Sequence, residues 1–256
     1  MASVRYVAIG DSFTEGIGDD LPDGRVRGWA DLVAQAWADA AGEPLEYANL
    51  AIRGKLIDGI LAEQLEPALA LKPTHLSFNG GGNDMIRPRT SIRHVADGFS
   101  HVMRRCDEEG VQLIMLSGAN PSGQLPLSRV IQRRGDLLTA AVEQRVADRP
   151  DVVTAFNWPD RELSTPPYWS EDRLHMNTRG HHRVAARVLE ALDMDAPEGW
   201  WSLPHLPPVA LRGAAYYRAH VGPWVRRRLT RTSSGDNREP KHPFWVPVEP
   251  RQERTA

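Results

Sequence analysis

Apolar and polar residues alternate in two different patterns over most of the chain. Short runs rich in Val, Ile and Leu, such as residues 5–9 and 112–117, are typical of buried strands. Longer segments with apolar positions three and four residues apart, such as residues 29–41, are typical of amphipathic helices. Because strands and helices follow one another in turn, the pattern predicts a three-layer α/β/α fold around a parallel sheet.

Five strands and five long helices are predicted up to residue 192. The strands cover residues 5–9, 45–50, 75–79, 112–117 and 152–156. The helices cover residues 29–41, 57–71, 91–109, 127–147 and 178–192. Gly110 stands where a helix C-terminal glycine is expected. In parallel sheets of this kind ligands bind at the carboxyl ends of the strands, so functional residues are expected in the loops that follow them.

The composition changes after Asp195. Trp200 and Trp201, a proline cluster, a helix-like run over residues 209–229 and four further prolines follow. Proline fixes φ and removes a backbone donor, so the final stretch is expected to be extended. We therefore predict a domain of residues 1–195 and a partly helical C-terminal extension of residues 196–256. The extension is expected to pack on the domain or on a partner subunit in a homo-oligomer.

Charge and cysteine content exclude several classes of protein. The formal net charge of −2 gives no electrostatic case for nucleic-acid binding. Cys106 is the single cysteine, so no intrachain disulfide can form. The N-terminus does not resemble a secretory signal, and no stretch approaches the roughly 20 apolar residues of a membrane span. We expect a cytoplasmic protein without a transmembrane segment.

The first candidate for chemistry is Ser12 in the run Gly10-Asp11-Ser12, directly after the first strand. A serine hydroxyl is a weak nucleophile and needs a base within hydrogen-bonding distance. A preceding glycine lets the backbone turn sharply and present the side chain. An Asp-Ser pair after a strand is equally typical of helix capping.

Three further loops carry polar residues at predicted strand ends. Asp172 and His175 are three residues apart, so the carboxylate can orient the imidazole as a base; alternatively they are surface residues flanking a helix start. Asn83, in a glycine-rich loop after the third strand, has an amide that can donate to an oxyanion. Gly54, after the second strand, offers a backbone donor, although alone it is an ordinary turn glycine.

Metal and cofactor chemistry are disfavoured. No Gly-x-Gly-x-x-Gly follows the first strand, and the chain has no His-Glu-x-x-His motif. A metal site could draw on Asp172, His175, His181 and His182, but adjacent histidines on a helix point in different directions. We expect neither a metal nor a cofactor.

Taken together, the four motifs resemble the conserved blocks of the SGNH (GDSL) hydrolase family. These are Gly-Asp-Ser near the N-terminus, a glycine after the second strand, Gly-x-Asn-Asp after the third and Asp-x-x-His near the domain end. The resemblance implies a flavodoxin-like five-stranded sheet of order 2-1-3-4-5. It also implies that Ser12 is the nucleophile, His175 the base and Asp172 its orienting acid. The Ser12 and Gly54 N–H groups and the Asn83 side chain would form the oxyanion hole.

The expected function is therefore a serine hydrolase that cleaves small carboxylic esters, with short acyl or acetyl groups, through an acyl-enzyme. The alternative is a non-catalytic interaction module. Residues 216–231 combine Tyr216, Tyr217 and Trp224 with an arginine run, which can contact a partner or a membrane surface.

Overall fold

A computed structural model describes residues 4–87, 89–125, 127–197, 199–201, 218, 222 and 234–251. Apart from positions 218 and 222, the helix-like run 209–229 and the basic aromatic run 216–231 lie outside the described residues. The division into residues 1–195 and an extension therefore stays a prediction.

Six strands form one sheet. They are β1 (Arg5–Ile9), β2 (Leu45–Asn49), β3 (His75–Phe78), β4 (Gln112–Ser117), β5 (Val153–Phe156) and β6 (His242–Val248). The order across the sheet is β5-β4-β3-β1-β2-β6. β1 to β5 are parallel, and β6 is antiparallel to β2. The parallel order brings the carboxyl ends of β1, β2 and β3 side by side.

The expectation of a five-stranded sheet is wrong in number, because residues His242–Val248 add a sixth strand, β6. Pro243 and Pro247 weaken the strand signal of this segment in the sequence. Proline is tolerated on an edge strand, where one side of the backbone has no strand partner. The strand also alternates its faces, since Trp245 packs on one apolar cluster while Val246 and Val248 pack on the other.

Helices cover both faces of the sheet. They are α1 (Ser12–Glu15), α2 (Trp29–Ala41), α3 (Ile57–Ile60), α4 (Glu66–Ala70), α5 (Gly82–Met85), α6 (Ile92–Glu109), α7 (Ser128–Val146) and α8 (Thr178–Ala191). One apolar cluster packs α2 and α8 against the sheet, and a second packs α3, α4, α6 and α7. The predicted α/β/α layering is therefore present. No described helix is both long enough and apolar enough to cross a membrane.

The predicted helix 57–71 is interrupted by a π-helical turn over Leu61–Leu65. Pro67 lies in the first turn of α4 and lacks the N–H that would continue the α-helical pattern. A wider turn just before it accommodates the missing bond. The turn carries Gln64, a buried polar residue.

Candidate active site

Ser12 lies at the carboxyl end of β1, as the first residue of α1. The Asp11 side chain accepts a hydrogen bond from the Phe13 N–H at 3.1 Å and so caps the helix. The helix-capping interpretation of the Asp-Ser pair is thus correct for Asp11. It leaves the Ser12 hydroxyl available for other contacts.

Ser12, His175 and Asp172 form a continuous chain of hydrogen bonds. Ser12 Oγ lies 3.1 Å from His175 Nε2, although 163 positions separate the two residues. His175 Nδ1 lies 2.6 Å from Asp172 Oδ2. The structure therefore brings together the three side chains that the sequence singles out from two distant loops.

The loop that carries Asp172 and His175 is held by its own backbone. Asp172 Oδ1 accepts from the N–H groups of Leu174 and His175, both at 3.0 Å. A bridge between Trp169 and Met176 closes the base of the loop. Arg173 adopts φ = 60°, a conformation that non-glycine residues rarely adopt, and it turns the chain between Asp172 and His175. The three-residue spacing thus presents both side chains on one side of the loop.

Electrostatics fix the proton positions in this chain. Burial acts against the charged Asp172, but the hydrogen bonds from His175 and from the loop backbone prevail and lower its pKa to about 2. The ionised carboxylate can only accept, so His175 Nδ1 carries a proton and donates to it. In the neutral imidazole with its proton on Nδ1, Nε2 carries a lone pair that faces Ser12 Oγ at 3.1 Å and can accept its proton. This is the arrangement that a general base requires.

Asn83 lies between the other two candidate loops. Its Nδ2 donates to Asp11 Oδ2 at 3.2 Å and to the Lys55 carbonyl at 3.1 Å. It therefore connects the residue before Ser12 to the residue after Gly54. Gly54 adopts φ = 76°, which favours glycine at this position.

Two residues that the sequence analysis missed hold these loops in place. Glu15 accepts from the Arg53 backbone N–H at 2.6 Å and pairs with the Arg53 guanidinium. Gln64 binds both backbone groups of Gly10: its Oε1 accepts from the N–H at 2.8 Å and its Nε2 donates to the carbonyl at 3.0 Å. Gln64 stands on the buried face of its helix among apolar residues, and that polar exception in an apolar stripe is the signal that points to it.

The two other histidines near the site are structural. His181 Nδ1 accepts from the Trp29 N–H at 3.2 Å, and its Nε2 donates to the Ile17 carbonyl at 3.2 Å. Burial lowers the pKa of His181 to about 4, so the ring is neutral. His182 bonds the Thr178 carbonyl. Within the described part of the chain, no group of three or more His, Cys, Asp or Glu side chains is arranged to hold a metal ion.

A cavity of about 110 Å³ opens beside Ser12 and His175. Its walls come mainly from apolar side chains of α5, α7 and the loops after β4 and β5, including Met85, Ile86, Leu138 and Trp158. A reacting group held at Ser12 would therefore have an apolar compartment next to it.

The layered fold is shared with several solved structures, two of them esterases. EstA from Pseudoalteromonas sp. is 17% identical with a TM-score of 0.57, and the match covers 74% of this chain and 97% of EstA. TesA is 21% identical with a TM-score of 0.60, covering 73% of this chain and 97% of TesA. A catalytic mutant of the acetylxylan esterase Axe2 from Geobacillus stearothermophilus is 18% identical with a TM-score of 0.59, and the match covers 76% of this chain and 97% of Axe2.

The sequence itself places the chain in a family. Residues 8–183 match the sequence model of the GDSL-like Lipase/Acylhydrolase family, and the chain belongs to that family. Its class is therefore that of the GDSL esterases and acylhydrolases. None of the curated proteins matches the sequence.

Proposed function

We propose that this esterase cleaves carboxylic esters with short acyl groups by a Ser-His-Asp acyl-enzyme mechanism. The observation that carries the proposal is the unbroken hydrogen-bond chain Ser12–His175–Asp172 beside an apolar cavity. Such a chain supplies what a serine hydroxyl needs to become a nucleophile at neutral pH.

In the first step Ser12 Oγ attacks the ester carbonyl while His175 Nε2 takes its proton. The resulting imidazolium is stabilised by the ionised Asp172. The bond between the carbonyl carbon and the alcohol oxygen then breaks, and His175 returns the proton to the leaving alcohol. In the second step His175 activates a water molecule, which attacks the acyl-enzyme and releases the carboxylic acid. Ser12 recovers its proton at the end of the cycle.

The proposed oxyanion hole consists of the Ser12 and Gly54 N–H groups and the Asn83 side-chain amide. Each donor aimed at the developing charge lowers the activation free energy by about 3 kcal/mol. Both protons of Asn83 Nδ2 have partners in the free enzyme, Asp11 and Lys55. Asn83 therefore exchanges or shares one of these bonds when the oxyanion forms.

The apolar cavity supports an uncharged acyl group as the part of the substrate bound next to Ser12. The alcohol part points towards solvent in this proposal and is not restricted by it. A homo-oligomeric state and a cytoplasmic location stay predictions from the sequence.

The test is a panel of p-nitrophenyl esters of increasing acyl length, measured with the wild type and with Ser12→Ala. We expect the wild type to prefer short acyl chains and Ser12→Ala to lose activity by about 10⁴-fold or more while it remains folded. Labelling by a fluorophosphonate, read as a mass increase, should occur in the wild type and not in the variant. Full ester hydrolysis by Ser12→Ala would contradict the proposal.

A further inference from the structure

We propose that Gly235 positions the Gly54 N–H of the active site, and that Lys241 anchors the surrounding chain, residues 234–251, which we name the C-terminal segment. The inference rests on the proposed function, because it assumes that this N–H donates to the oxyanion. The segment lies outside residues 8–183, which match the family.

The first observation is a close backbone contact. A Cβ built on Gly235 would lie 2.0 Å from the Arg53 carbonyl oxygen and 2.8 Å from Ile52 Cγ2. Real Cβ atoms do not approach a backbone oxygen so closely, so only glycine fits here without a shift of the Arg53 carbonyl. The buried Gly235 therefore packs directly on the loop that follows β2.

The Arg53 carbonyl and the Gly54 N–H belong to the same peptide unit. The described chain contains no cis peptide bond, so this unit is planar and its C=O and N–H point in opposite directions. A displacement of the carbonyl oxygen necessarily tilts the N–H. Gly235 thus acts on the candidate oxyanion donor through the rigid plane of one peptide, without touching the substrate.

The two peptide units just before this one are held by residues on either side of Ser12. The Arg53 N–H donates to Glu15 Oε2, and the Ile52 N–H donates to the Gly10 carbonyl at 3.2 Å. These bonds fix the chain up to Arg53 but do not act on its carbonyl. The Gly235 contact acts on that carbonyl, so the two constraints complement each other.

Lys241 anchors the C-terminal segment to the same region. Its ammonium group donates to the Glu15 carbonyl at 2.7 Å, to the Arg27 carbonyl at 2.6 Å and to Asp31 Oδ2 at 2.6 Å. Glu15 therefore contacts Arg53, next to Gly54, through its carboxylate, and it contacts Lys241 of the C-terminal segment through its backbone carbonyl. β6, which follows Lys241 directly, pairs with β2, the strand that leads into the Gly54 loop.

The decisive experiment compares Gly235→Ala with the matched control Gly123→Ala. Gly123 is exposed, and a Cβ built on it has no heavy atom within 4 Å. We expect Gly235→Ala to lower kcat about tenfold or more with KM nearly unchanged, and Gly123→Ala to behave as the wild type. Affinity for an alkyl trifluoromethyl ketone, whose tetrahedral adduct carries an oxyanion, should fall in Gly235→Ala by a similar factor.

A second variant keeps the test valid if Gly235→Ala does not fold. Lys241→Met removes the anchor at a distance from the Gly235 contact, and we expect a smaller fall in kcat and in ketone affinity, again with little change in KM. The control for this variant is Arg251→Ala, which breaks an exposed pair with Asp39 at the far end of the segment.

The outcomes separate this inference from the proposed function. Activity retained by Ser12→Ala would contradict the proposed function itself. If Ser12→Ala is inactive but Gly235→Ala and Lys241→Met keep wild-type kcat and ketone affinity, the positioning role is wrong. The role is also wrong if ketone affinity is unchanged and the variants show only a lower melting temperature or only a raised KM. A purely structural contact gives that result.

Discussion

The two sides of the proposed active site, the acid–base pair and the oxyanion hole, are built in opposite ways. The acid–base side, Asp172 and His175, lies on one loop that is held by its own backbone N–H groups. The oxyanion side draws on the loops around Ser12, Gly54 and Asn83, which are joined to one another by side-chain hydrogen bonds. Gln64, from outside these loops, holds the backbone of Gly10. The acid–base pair is partly exposed, with side chains 28% and 23% accessible, whereas Gln64 behind the nucleophile loop is 1% accessible.

This difference indicates where each side is vulnerable. On the acid–base side, damage should come mainly from changing Asp172 or His175 themselves, because the N–H groups of their own loop hold the Asp172 carboxylate. On the oxyanion side, damage should also come from buried residues that never touch the substrate. The predictions below test this contrast, from the largest expected effect to the smallest.

Asp172→Asn is expected to lower kcat by about 10³- to 10⁴-fold. An asparagine amide can present a donor to His175 Nδ1, which favours the tautomer with the proton on Nε2 and removes the base from Ser12. Steady-state kinetics on a short p-nitrophenyl ester measure the effect. Asp148→Asn, at an exposed position on the surface, is the matched control and should keep wild-type rates. A change confined to KM would contradict the orienting role.

Asn83→Ala is expected to lower kcat about 10²-fold with little change in KM. The side-chain amide is lost as an oxyanion donor, and the connection between Asp11 and Lys55 is lost with it. Thermal unfolding of the same variant separates the two consequences. A raised KM with unchanged kcat would argue against the oxyanion role.

Gln64→Leu is expected to lower kcat by about tenfold and to reduce the free energy of unfolding by about 1–3 kcal/mol. The variant leaves the Gly10 N–H buried without its partner and frees the backbone just before Ser12. Gln64→Glu should retain part of the rate, since its carboxylate can still accept from that N–H. Urea unfolding and kinetics are measured together, and the control is Gln144→Leu, the same substitution at an exposed position. Equal losses in both Gln64 variants would contradict this assignment of the two bonds.

His181 tests the connection between the two sides, because it joins Trp29 and Ile17 near the nucleophile to α8 behind the acid–base loop. Its pKa is lowered to about 4 by burial, against an ordinary value of 6.5 in the unfolded chain. Between these values the unfolded chain binds a proton that the native protein does not bind. Stability should therefore fall as the pH decreases through this window, by up to about 3 kcal/mol.

The contribution of His181 is measured as a difference. Asp11 and Asp31 have pKa values raised by burial to about 6, which gives stability the opposite slope in the same window. Urea unfolding is therefore measured for the wild type and for His181→Gln from pH 7 to pH 4. The difference between the two proteins cancels the contributions of Asp11 and Asp31. The stability gap between the two proteins should narrow as the pH falls; a constant gap would show that His181 does not supply the slope.

The chain's own pattern was sufficient for much of the fold. β1, α2 and β4 begin and end where the periodicity predicts, and the helix before Gly110 ends at that glycine. A helix or strand that packs on a sheet needs apolar residues on its buried face. This periodicity is local, so it can be recognised in the sequence without coordinates. β6 could not be predicted in this way, because its prolines weaken the strand pattern in the sequence and the strand is formed by pairing with β2.

The candidate site shows the same contrast between residues that the sequence indicates and residues that only the structure reveals. The sequence alone determined the candidate residue types in the loops that follow the parallel strands, including Ser12 and the Asp172–His175 pair, because such loops have a fixed place in this fold. Only the tertiary structure decided which distant residues hold those loops. Gln64, Glu15 and Gly235 act through backbone groups far away in the sequence, and backbone hydrogen bonds and close contacts carry no signature in the residue types of their partners.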